Sequence, residues 1–93
     1  MNDTQKIIKT ICDEISDFLI AKNNAYGNSA IEPIRIFSSA STEEQLFVRI
    51  DDKLSRIMRG KEYPGDDTID DLLGYLILLK VYKRIINESK EAK

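Results

Sequence analysis

The chain has no histidine and no tryptophan, a single cysteine, two prolines and four glycines in 93 residues. Without histidine, the usual zinc sites and His-based catalytic triads are excluded. With one cysteine, Cys12, no internal disulfide can form; it falls on the apolar face of a predicted helix, where a packed thiol is expected. A bound metal would have to be held by carboxylate oxygens, which selects Mg²⁺, Mn²⁺ or Ca²⁺ over Zn²⁺. No apolar stretch approaches the roughly 20 residues of a membrane span. The polar start of the chain lacks the basic patch and apolar run of a signal peptide, so a cytoplasmic setting is expected. A net charge of −2 argues against binding nucleic acid over the whole surface and leaves room only for a local basic patch.

What is present is ordinary for a globular chain: 42% apolar and 32% charged residues, too apolar for disorder. Residues 1–93 read as one domain near the lower size limit for a self-sufficient core. Ile7, Ile8, Ile11, Cys12, Ile15, Phe18 and Leu19 have the three-four spacing of an amphipathic helix over residues 4–22, with Asp3 or Thr4 as N-cap. The stretch KNNAYG should end it, since Asn and Gly tolerate the left-handed conformation of helix stops. Residues 28–40 lose the periodicity, and Ile31, Ile34, Ile36 and Phe37 predict a packed connector around Pro33.

Ser41 followed three residues later by Glu44 predicts a capping box, opening a helix from Thr42 to about Arg59 that buries Leu46, Phe47, Ile50, Leu54, Ile57 and Met58. Gly60 ends it and GKEYPGD turns the chain. Asp66 or Asp67 caps the last helix, which runs to about Asn87 before a tail, ESKEAK, expected to fray. That helix is apolar on too many sides for a single stripe, which predicts burial on most sides. With only two other long helices in the chain, the expectation is an all-α bundle of three main helices, completed by self-association as a homo-oligomer.

Three polar clusters stand out. Arg49, Asp52, Lys53 and Arg56 lie on one side of the middle helix, where guanidinium groups could clamp phosphate. The bland alternative is a solvated face laced by the Asp52 to Arg56 pair. Asp67, Asp70 and Asp71 share one side of the last helix's first turns, more carboxylates than a helix dipole needs, and candidates for Mg²⁺ or a basic partner. Gly74, one turn on, costs roughly 1 kcal/mol against Ala and so implies close approach of a helix or a ligand. In KNNAYGNSA, Tyr26 could stack on a base, with Asn23, Asn24 and Asn28 offering amides and Lys22 meeting phosphate; equally, Tyr26 could plug the core. Taken together, the clusters describe what a phosphorylated nucleoside requires.

The stretches KNNAYGNSA, EPIRIF, EQLFVRIDDKLSRIMRG and DDTIDDLLGYLILL, spanning Lys22 to about Leu79, resemble the nucleotide modification associated domain type one, a family of small phage and bacterial proteins. The resemblance implies a role in nucleotide metabolism or modification. More distantly, the chain is similar to the MazG-like all-α nucleoside triphosphate pyrophosphatases, Mg²⁺-dependent helical oligomers with an E-x-x-E pair on one helix and an E-x-x-D pair on the next. Asp67 with Asp70 has the spacing of the second pair, whereas the first pair is missing. These similarities imply that Lys22, Asn24, Tyr26, Asn28, Arg49, Lys53 and Arg56 hold a nucleotide, while Asp52, Asp67, Asp70 and Asp71 orient those cations or hold Mg²⁺. Three roles stay open: Mg²⁺-dependent phosphoanhydride hydrolysis, a non-catalytic binder that sequesters a nucleotide, and a purely structural helical module.

Overall fold

A computed structural model describes residues 1–91 of the chain as three helices, α1 (Asp3–Tyr26), α2 (Thr42–Arg59) and α3 (Thr68–Glu91), with no strand among the described residues. None of these helices is long and apolar enough to cross a membrane. α1 runs further than its Asn-rich end suggests. It continues through both asparagines to Tyr26 and stops only at Gly27, whose φ of 67° suits glycine. Its start also differs: Asn2 is the N-cap, and Asn2 and Gln5 form a reciprocal capping box. At α2 the Ser41 hydroxyl accepts from the Glu44 N–H at 3.1 Å, one half of the expected capping box without the return bond from the Glu44 side chain, and left-handed Gly60 closes the helix as expected. α3 opens at Asp67, whose carboxylate accepts from the Asp70 N–H at 3.0 Å, while the Thr68 N–H donates to the Glu62 carboxylate. α3 reaches Glu91, four residues past the expected end, and the rest of the expected frayed tail lies outside the described residues.

α2 and α3 are antiparallel neighbours, because Arg49 meets Tyr75, Lys53 meets Asp71 and Arg56 meets Asp66 as one helix ascends and the other descends. Their contact holds the centre of the core, Leu46 at 1% exposure and Ile50. α1 lies along α3 through its second half only. Ile15 is buried, and Leu19 Cδ2 sits 3.1 Å from where a Cβ on Gly74 would be. Gly74 is therefore explained by helix approach.

Four burial expectations fail within the single chain. Cys12 is exposed, because the first half of α1 has nothing opposite it. Ile34, Ile36 and Phe37 are exposed, because polar bonds rather than apolar packing hold the connector. Arg35 donates to the Ala40 carbonyl at 3.0 Å and to the Thr42 hydroxyl at 2.8 Å, and that hydroxyl donates to the Ile31 carbonyl at 3.3 Å. Leu54, Ile57 and Met58 are exposed toward the end of α2. α3 is covered on two sides rather than most. The radius of gyration, 15.4 Å, exceeds the roughly 12 Å of a compact chain this long.

Candidate functional site

Where α1's last turns, the loop after Gly27 and the middle of α3 come together, they enclose a cavity of about 480 Å³. That volume falls in the range of about 300–1,000 Å³ typical of small-molecule sites. Of the residues singled out in the sequence, Lys22, Tyr26, Asn28, Arg49, Asp70 and Asp71 line it. Asn24, Lys53, Arg56, Asp52 and Asp67 do not.

Local structure explains the division. Asn23 faces the loop and spends its amide donors within it, on the Gly27 carbonyl at 3.2 Å and the Asn28 Oδ1 at 2.7 Å. This clasp fixes the turn after α1 through the Asn28 oxygen and leaves its NH₂ group free to donate elsewhere. Asn24, one residue along the helix, turns away from the cavity by about 100° relative to Asn23. Lys22 lies over the Phe18 ring, 4.6 Å from its centroid. Arg49 donates to the Tyr75 hydroxyl at 3.3 Å and lies 5.7 Å from that ring's centroid. Among the described residues neither Lys22 nor Arg49 makes an ion pair, so both keep charge for an anion.

The rest of the basic stripe is already engaged. Lys53, its side chain largely buried, sits 3.6 Å from Asp71 and 3.9 Å from Asp52; Arg56 sits 3.3 Å from Asp52 and 3.8 Å from Asp66. The lysine ammonium thus occupies the place between Asp52 and Asp71 that a metal ion would need. Asp67 serves as the helix cap. No three Asp, Glu or Cys side chains converge on one point among the described residues.

Asp70 stands apart from these pairs. Partial desolvation, then the neighbouring Asp67 and Asp71 and, across the groove, Glu14 of α1, hold its carboxyl above the ordinary value of 3.8. It also borders a second groove, of about 590 Å³, that continues from the first between α1 and the acidic start of α3.

Tyr75 and Phe18 are site residues that the sequence reading leaves among the apolar positions. Tyr75 had a weak signal, an aromatic hydroxyl directly after the unusual Gly74. No protein-family model, no curated protein and no solved structure matches the chain.

Proposed function

We propose that the cavity binds a phosphorylated nucleoside and that the protein acts in nucleotide metabolism or modification. The observation that carries this reading is the gathering, around one cavity, of two cations without ion pairs, Lys22 and Arg49, with the rings of Tyr26 and Tyr75 and the amide of Asn28. Cations meet phosphate oxygens, an aromatic face stacks a base, and an amide meets a base edge or ribose. Tyr26 is 73% exposed, so its ring contributes little to the core and is free to meet a ligand. The reading carries a cytoplasmic setting with it, where nucleotides are plentiful. Mg²⁺ enters it as the companion of the ligand's phosphates.

Within this reading, binding without turnover is favoured over phosphoanhydride hydrolysis by the pairing of Asp52, Asp66 and Asp71 with Lys53 and Arg56, which engages three of the aspartates that could otherwise help activate a water. That would suit a sequestering protein of the kind a phage could use. The purely structural reading leans on the same ion pairs. Asp52 and Arg56 side chains are 52% and 44% exposed, and pairs of that kind contribute only about 0–1 kcal/mol.

Melting of the protein with nucleoside mono-, di- and triphosphates and cyclic nucleotides, with and without Mg²⁺, tests the proposal. At least one raises the melting temperature, and Tyr26→Ala, which removes about 1–3 kcal/mol of stacking, abolishes the shift while leaving the unliganded melt unchanged. Absence of a shift with every nucleotide overturns it. Chromatography of the recovered ligand separates the two roles: unchanged ligand means sequestration, a monophosphate product means hydrolysis.

A further inference from the structure

α3 has three distinct sides, and the chain covers two of them. α2 takes the side of Leu72, Tyr75 and Leu79, and α1 takes the side of Gly74. Outside these two contacts runs a row of Ile69, Leu73, Ile77, Val81 and Ile85, an aliphatic residue at every fourth position, each between 37% and 60% exposed, which winds about 40° per step and passes onto the side of Gly74 only beyond the reach of α1. Residues four apart form a continuous ridge on a helix, here about 24 Å long at 1.5 Å per residue.

The area left open leaves room for a partner. The accessible surface is 7582 Å², whereas a folded chain of 10.7 kDa is expected to show about 5,500 Å². The excess, about 2,000 Å² per chain, is shared among this row, the first half of α1 and the connector, and half of it would equal what each partner gives up at the lower end of a permanent homodimer interface, roughly 2,000 Å² in total.

Charge along the ridge says which partner. Asp70 lies seven residues before Ile77 and Arg84 seven after, two helical turns each way, so both project on the ridge side. Among the described residues neither makes an ion pair. A second α3 crossing antiparallel at Ile77 sets Ile77 against its copy with Leu73 and Val81 beside it, and brings each Asp70 to an Arg84, while Ile69 and Ile85, about 80° round the helix to either side, fall at the edges of the contact. Parallel pairing would oppose acid to acid and base to base. The ridge is thus complementary to itself in one orientation, the condition for a two-fold interface.

We infer that two copies of this chain pair through α3, antiparallel about a two-fold axis at Ile77, and that each places its Arg84 against Asp70 at the cavity of the other. The partner's Arg84 answers the crowding of carboxylates around Asp70 and adds a third cation to the wall where Lys22 and Arg49 already stand. The pairing does not depend on what the cavity binds.

Sedimentation equilibrium of the full chain without nucleotide tests it. The expected mass is an even multiple of 10.7 kDa. Ile77→Arg, at a position already 40% exposed, halves that mass. Asp70→Arg and Arg84→Asp each weaken association about tenfold, and the two together restore it, because both reversed pairs then match across the axis. A mass of 10.7 kDa at every concentration, an odd multiple, or a double reversal no better than the singles overturns the inference. Should Ile77→Arg precipitate, the charge reversals decide alone. A monomer that still melts higher with a nucleotide would sink the pairing and leave the proposed function standing.

Discussion

α2 and the first half of α1 are built from the same kind of sequence and meet different surroundings. Both repeat aliphatic residues at helical spacing, yet Leu46 and Ile50 of α2 are buried while Ile7, Ile8 and Ile11 of α1 stay in the open. The connectors make the difference. The turn at residues 60–67 folds α3 straight back along α2, whereas the longer 27–41 segment leaves α1 to reach α3 by its second half alone. Periodicity identifies which side of a helix is apolar, and topology decides whether anything lies opposite.

Breaking the well-packed side has the largest effect. Leu46→Ala removes the most buried side chain and costs about 2–5 kcal/mol in urea unfolding at fixed protein concentration; a loss below about 1 kcal/mol would mean that the α2–α3 contact is not the core. Gly74→Leu comes next. Its side chain meets Leu19, so it costs about 1–3 kcal/mol, and hydrogen exchange quickens at Ile15 to Tyr26 but not at Leu46 to Ile57. Equal quickening in both segments would show that α1 and α2 are not independently supported.

Asp70 sharpens the comparison through pH, measured in the monomeric Ile77→Arg background. Folding raises its carboxyl above 3.8, so the folded chain disfavours the ionised form and loses stability as pH rises through the raised value. Asp70→Asn therefore melts higher than its parent at neutral pH, and the two converge below pH 3.8, where the group is protonated in both folded and unfolded chains. A gain that persists in strong acid would assign the effect to something other than charge. The smallest change belongs to Ile8→Ser in the same background, which shifts stability by no more than about 0.5 kcal/mol, as an exposed position should.

Much of this was legible in the sequence where the controlling chemistry is local. Ser41 and Gly60 bound α2 as expected, because caps act within a turn of themselves. The end of α1 was misplaced because asparagine tolerates a helix stop without forcing one; the chain waits for Gly27, and the Asn23 amide reaches forward over it. Lys22, Tyr26, Asn28, Arg49, Asp70 and Asp71 do share a cavity. The fate of Lys53 and Arg56 was hidden, since their partners Asp71 and Asp66 arrive only when α3 folds back beside α2. Tyr75 was hidden for the same reason, its hydroxyl meeting an arginine 26 positions away.

The bonds of Arg35 to Ala40 and Thr42 close the base of a small loop whose tip is the fully exposed Phe37. Whatever is spliced between Ile36 and Ser39 hangs outside that closure, and lengthening such a loop adds only about 0.6 kcal/mol per doubling. The tip is therefore a natural graft point: a reporter or affinity handle placed there would leave the spacing between α1 and α2, and with it the cavity, as they are.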